Sequence, residues 1–285
     1  MHIGISGSPE STPRSGSHHA VARCRELGID ALEMAWVHKV TLSEAGGARV
    51  RRAAEAHGVR LSVHAPYYIN LNSHDAAIRQ AGIGRIVAAG RAAAWAGARN
   101  VVLHLAWNHD DPPAVVMDRV ADGLVEAQAR LADVGVGPDR VTLRPELMGR
   151  QSQFGDLDEV LRLCERVPGT APCIDIAHLH ARTGEWNTPR EFGHLWTAVA
   201  DALGPGALTD AHIHISGIAY GPLGEKKHLP FEEADLDYRG FLHVLHDRSI
   251  QGMMMVESPA REDDVLLLMR AWEGGAGGAA AVSEP

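Results

Sequence analysis

The chain has 285 residues, 45% of them hydrophobic and 22% charged, with a formal net charge of −9. That length and composition suit one large globular domain. The acidic balance argues against a protein that coats nucleic acid non-specifically, and no run of about 18 or more apolar residues marks a membrane span.

The opening Met1-His2-Ile3-Gly4-Ile5 enters a strand directly, so no signal peptide is expected. From there strand-like apolar runs alternate with amphipathic stretches. In chain order the expected strands are 3–6, 31–36, 61–64, 101–104, 141–146, 173–176, 211–215 and 253–257. The expected helices are 17–27, 43–57, 75–95, 113–131, 157–166, 189–203, 238–248 and 262–272. Gly28 and Gly58 follow helices as left-handed caps, and Thr188-Pro189 reads as a helix start. Such alternation implies parallel strands with helical crossovers, and eight units favour a single-domain (β/α)8 TIM barrel over residues 1–273. No G-x-G-x-x-G opens the first helix, which weakens a dinucleotide fold. Residues 274–285, rich in Gly and Ala, are expected to form a flexible tail. Segment 216–237 lacks clear periodicity; a loop that long is usually functional. Cys24, Cys164 and Cys173 show no metal-ligand spacing and fit reduced, structural thiols in the cytoplasm.

His64, His104, Glu146, Asp175, His178, His214, His228 and Glu257 recur along the chain, most of them at the end of a strand-like run. A closed parallel barrel gathers the C-terminal ends of its strands at one mouth, where these side chains would converge. His with carboxylates at such a mouth reads as a metal centre. Asp175 and His178, three apart where a strand runs into its loop, could face neighbouring metals or cap the next helix. His212 and His214 alternate on one strand and face the same way; His214, nearer the mouth, is the expected ligand and His212 packs below it. Carboxylates bridge cations as neutral imidazole cannot, so Glu146 and Glu257 suggest more than one metal.

The segments His64-Ala65-Pro66-Tyr67-Tyr68-Ile69-Asn70-Leu71, His104, Glu146, Cys173-Ile174-Asp175-Ile176-Ala177-His178, His214, His228 and Glu257-Ser258-Pro259 resemble the endonuclease IV family of apurinic/apyrimidinic endonucleases. The resemblance runs from about the third strand to the eighth. It implies a zinc on His64 and His104, a second on Asp175, His214 and Glu257, Glu146 bridging the two, and a third with His178 and His228. Two or three Zn²⁺ ions are thus expected, with Mn²⁺ or Fe²⁺ as alternatives. Glu146 and Glu257 would be catalytic, and Tyr67, Asn70 and Lys226 would contact substrate. The implied partner is DNA containing abasic sites, cut 5′ to the lesion by a metal-bridging hydroxide. A cytoplasmic monomer is expected.

The chain departs from the family where Lys226-Lys227-His228 replaces Asp-x-His at the third metal, and where Leu147-Met148-Gly149 follows Glu146. Lys226 cannot ligate while protonated, so the third metal is weak, absent or differently held. The first loops, 7–17 and 37–47, carry no matching DNA-gripping residues. A sugar isomerase or epimerase on the same barrel is the alternative; it needs fewer histidine ligands. A non-catalytic binding barrel would lack ligands on several strands, and here one is replaced.

Overall fold

The structure, a computed structural model, describes residues 1–278. Eight parallel strands form the barrel: β1 (His2–Ser6), β2 (Ala31–Ala35), β3 (Arg60–His64), β4 (Asn100–Leu103), β5 (Thr142–Pro145), β6 (Cys173–Asp175), β7 (Ala211–Ile215) and β8 (Gly252–Val256). Their order around the sheet is β5-β4-β3-β2-β1-β8-β7-β6. Parallel bridges Leu143 to Thr170 and Glu146 to Cys173 draw the two ends of that order together. The expected (β/α)8 barrel is therefore the observed fold, with strand limits shifted by only a residue or two.

The helices are α1 (Ser17–Glu26), α2 (Glu44–His57), α3 (Ala76–Ala96), α4 (Pro113–Asp133), α5 (Leu157–Arg166), α6 (Ile176–Thr183), α7 (Pro189–Leu203), α8 (Tyr238–Asp247) and α9 (Glu262–Gly278). Their ends have local causes. Ser43, Asp75, Asp156 and Thr188 each accept a backbone N–H in the first helical turn, and Asp156 with Glu159 completes a reciprocal capping box. Gly58 ends α2 in the left-handed region. Helix α9 continues to Gly278, into the segment expected to be a tail; residues 279–285 lie outside the described residues.

Two features differ from the sequence reading. Segment 216–237 is not an irregular loop: it holds an antiparallel hairpin, Gly217–Gly221 with Gly224–Leu229. Its strands are short and glycine-bearing, and the second, Gly224–Leu229, is mostly charged, so no apolar alternation announces them. Helix α6 is an addition to the expected set; its first turn is buried nearly all round, which erases the amphipathic signal.

The layer between sheet and helices is aliphatic, with Trp196, Phe192 and Phe241 packed around the later helices. The barrel lumen is different. Glu33, Ser62, Asn100, Arg144, His212 and His214 are all buried, on strands β2, β3, β4, β5 and β7. No described helix is long and apolar enough to cross a membrane. All three cysteines are free and buried, and burial pushes the Cys24 and Cys164 thiols up to about 12.

Gly252 opens β8 at φ +138°, and a Cβ there would stand 2.0 Å from the Ala211 carbonyl oxygen. Gly84 lies in α3 with nothing within 4 Å of an added Cβ. The two alanine substitutions should therefore act in opposite directions. Gly252→Ala should destabilise by about 1–3 kcal/mol or more, and Gly84→Ala should stabilise by about 0.5–1 kcal/mol. Urea unfolding of both variants checks the signs.

Candidate metal centre at the barrel mouth

The strand ends deliver the chemistry. His64 closes β3, His104 follows β4, Glu146 follows β5, Asp175 closes β6, His214 lies on β7 and Glu257 follows β8. His178 stands in the first turn of α6, placed there because Asp175 caps that helix, accepting the His178 backbone N–H at 2.7 Å. The N-cap and ligand readings of this pair are thus compatible: one carboxylate oxygen caps while the other is left over.

Donor atoms gather in three adjoining groups, within each of which all lie inside 4.8 Å of one another: His64, His104 and Glu146; Glu146, Asp175, His214 and Glu257; and His178, Glu225 and His228. Glu146 belongs to two of them. Its Oε2 is 3.2 Å from His64 Nε2 and 2.9 Å from His104 Nε2, while its Oε1 is 3.2 Å from His214 Nδ1. His178 Nε2 faces His228 Nε2 at 3.2 Å and Glu225 Oε2 at 3.6 Å. All eight side chains singled out as ligands from the sequence come together here.

Sequence reasoning does not find Glu225, and the backbone explains why. Ile218 pairs with His228 and Ala219 with Lys227, but Tyr220 pairs with Glu225. Lys226 is the extra residue of a β-bulge. The bulge turns Lys226 outward and puts Glu225 on the face of His228, three positions away rather than two. Gly149 makes room: a Cβ there would lie 2.7 Å from the Glu225 Cβ. The small residue at 149 and the bulge at 226 thus act together to bring the Glu225 carboxylate beside His178 and His228. Lys226 itself is exposed and lies outside all three groups.

The other expected contacts separate. Tyr67 is 44% exposed and packs its ring 5.0 Å from His64 and 5.1 Å from His104. It lines a cavity of about 280 Å³ over the three groups, together with His178, Glu257 and Arg150. Asn70 is outside that lining: its Oδ1 accepts from the Trp107 backbone N–H, and its side-chain amide meets His109 at 2.8 Å, bracing the rim. Arg150 is a further lining residue that no sequence motif marks. A larger cavity, about 630 Å³, opens beside the N-terminal ends of β1, β3 and β8 and is lined by none of the donors, so donor chemistry rather than volume marks the site.

The electrostatics fit cations. Burial pushes the Glu146 carboxyl up, yet His104 and His214 hold it well below the usual range. Burial works against charge on His64 too, and Glu146 still lifts it to about 9. His178 is lifted to about 10 against its burial, chiefly by Asp175 and Glu146. Asp175 is pushed up by burial, and its Oδ2 is fully buried without a hydrogen bond, with His178 Nδ1 3.1 Å away but turned to the Leu147 carbonyl. That orphaned oxygen, and two imidazole Nε2 atoms facing each other, call for a proton or a cation between them. Carboxylate and imidazole donors suit Zn²⁺, Mn²⁺ or Fe²⁺. A deeper trio, Cys173, His212 and His214, suits one less well: burial holds the thiol up, and both rings already bond Glu33.

Comparisons with known proteins place the fold. A family described as xylose isomerase-like TIM barrel matches residues 21–281. An uncharacterized protein of Methanocaldococcus jannaschii is 34% identical over 271 residues, 95% of this chain and 96% of that one. Endonuclease IV from Thermus thermophilus superposes with a TM-score of 0.75 at 20% identity, covering 98% of this chain and all of that one. A D-tagatose 3-epimerase-like protein superposes with a TM-score of 0.74 at 17% identity, covering 97% of each. At those identities the two structures report the fold alone.

Metal content separates the bulge residues. Glu225→Ala should lower the bound metal count by one in elemental analysis, while Lys226→Ala leaves it unchanged; equal loss in both would contradict the bulge assignment. A cation must also displace the protons on His64 and His178, so affinity should rise with pH, by about tenfold per unit for each proton released. Zinc titrations should show this rise levelling off above about 9 for the His64 group and about 10 for the His178 group.

Proposed function

Starting from the xylose isomerase-like TIM barrel family to which the chain belongs, we propose that it is a metal-dependent phosphodiesterase, an endonuclease that hydrolyses DNA 5′ to abasic sites. One observation carries the reading: three donor groups adjoin, and Glu146 is common to two of them. Their four carboxylates, Glu146, Asp175, Glu225 and Glu257, fall short of the charge of three divalent cations, leaving a positive excess that suits an anionic substrate. Bound at these groups, the cations would neutralise the phosphodiester, acidify water and stabilise the leaving oxygen. Zinc is the proposed metal.

The chain's own residues divide the work. Glu146, buried and ionised, ties two groups at a fixed separation, so the reacting phosphate meets a preorganised charge pattern. Glu257 shares the second group and, through its backbone carbonyl, accepts the His228 Nδ1–H at 3.0 Å, linking second group to third. Arg150 offers a guanidinium to a phosphate at the cavity wall, a role its planar donors suit. Exposed Tyr67 offers a ring against which an extruded sugar or neighbouring base packs.

The second reading, a sugar isomerase or epimerase, draws on the group Glu146, Asp175, His214 and Glu257, which by itself could hold one cation. It leaves the other two groups without a task, which is why it ranks behind.

The deciding experiment is incision of a duplex carrying one abasic-site analogue beside an undamaged duplex, with Zn²⁺ or Mn²⁺ added. Cutting confined to the 5′ side of the lesion is expected, and Glu146→Gln should slow it by about a hundredfold to a thousandfold or more. Intact DNA after incubation with protein of confirmed metal content, together with epimerisation of a ketose, would replace this reading with the second.

A further inference from the structure

Three of the ligand-type histidines are aimed by the main chain. His64, His178 and His228 each donate Nδ1–H to a carbonyl, of Ala65 at 2.8 Å, Leu147 at 3.0 Å and Glu257 at 3.0 Å. Each therefore presents Nε2 to its group. His214 is turned the other way. Its Nδ1 faces Glu146 at 3.2 Å and Glu257 at 3.6 Å, and its Nε2 points into the lumen, 3.1 Å from Glu33 Oε1.

Glu33 comes from β2 and His214 from β7, which are not neighbours in the sheet, so this contact spans the lumen. Glu33 is wholly buried, and its other contacts are donors as well: Ser6 Oγ at 3.1 Å, Ser62 Oγ at 2.8 Å and His212 Nε2 at 3.2 Å. The direction of donation is fixed from below. Arg144 has no acceptor atom, and its Nε donates to Asn100 Oδ1 at 3.0 Å. Asn100 must then donate its amide to His212 Nδ1, at 3.1 Å. His212, accepting there, keeps its proton on Nε2 and gives it to Glu33. Glu33 Oε1 meets Ser6 Oγ and His214, and its Oε2 meets Ser62 Oγ and His212 Nε2, so the carboxylate is the acceptor at both oxygens and His214 donates through Nε2, leaving Nδ1 for the centre.

We propose that Glu33 is a positioning residue of the metal centre: it holds the Nε2–H of His214 across the lumen and so commits Nδ1 to the cation shared by Glu146, Asp175 and Glu257. The main chain has no part in aiming this ligand, so a side chain on another strand does it. The proposal rests on reading that group as a cation site. The same carboxylate takes the Nε2–H of His212, which ties it to the buried Asn100 and Arg144 below.

The test uses the full chain, stripped of metal and titrated with Zn²⁺ against a competing chelator. Glu33→Gln keeps the volume but puts an amide donor among donors, against His214 or His212. One of the three zinc equivalents should weaken about tenfold to a hundredfold, the scale of lost outer partners, while the other two keep their affinity. A merely structural Glu33 would lower thermal stability and leave all affinities alike. Identical zinc affinities in variant and wild type would overturn the proposal. Wild type that takes up zinc at the other two groups, with none at this one, would overturn both the proposal and the underlying reading. Should the variant not fold, nitrogen-15 spectra of the zinc-loaded wild type decide instead. His214 with its proton on Nε2 and zinc on Nδ1 is expected; zinc on Nε2 would refute it.

Discussion

Everything at the mouth of this barrel follows from one constraint: a carboxylate taken wholly out of water must find positive charge or donors for each oxygen. Glu146 meets it with imidazoles on both sides, His64 and His104 at one oxygen and His214 at the other. Those imidazoles in turn need their second nitrogen satisfied, which draws in the Ala65 carbonyl for His64 and Glu33 for His214. The centre is thus a nested arrangement in which each buried polar group specifies the next, and a half-built version would be costlier than an apolar core. A barrel supplies the rigid frame such nesting requires, because its strand ends are fixed relative to one another by the ladder.

Much of this was legible in the sequence. Strand–helix alternation predicts the barrel, since each strand is a short buried run and most helices keep one polar face. The position of His64, Asp175 and Glu257 at or just past strand ends predicts that they meet, because barrel topology turns sequence position into a common mouth. What escaped was set by local geometry with no periodic signature. Glu225 is a ligand-type residue only because a bulge shifts the hairpin register by one residue, and spacing rules assume unbroken alternation. Glu33 left one faint sign, a carboxylate inside the apolar run Ala31-Leu32-Glu33-Met34-Ala35, where only a buried partner could justify it. Its partner lies 181 residues away on a strand that is not its neighbour, beyond any local pattern.

Fold similarity alone separates these chemistries poorly. The endonuclease IV structure and the epimerase-like structure superpose on the chain almost equally well, with TM-scores of 0.75 and 0.74. The frame is shared, and a shared frame does not fix the chemistry carried on it. Support for phosphodiester chemistry comes instead from the added donors His64, His104, His178, Glu225 and His228, and from the charge they allow the mouth to gather.

The hairpin that carries Glu225 and His228 stands outside the eight-stranded sheet, joined to the β5–α5 loop by the isolated bridge between Arg150 and Gly224. Segments held by few backbone bonds open at lower free energy than a barrel ladder. Of the third donor group, Glu225 and His228 ride on this hairpin while His178 stands in the first turn of α6, so that group is shared between the appendage and the frame. Its geometry therefore depends on how the hairpin packs against the barrel, through the buried Ile218, as well as on the ladder that sets the other two groups.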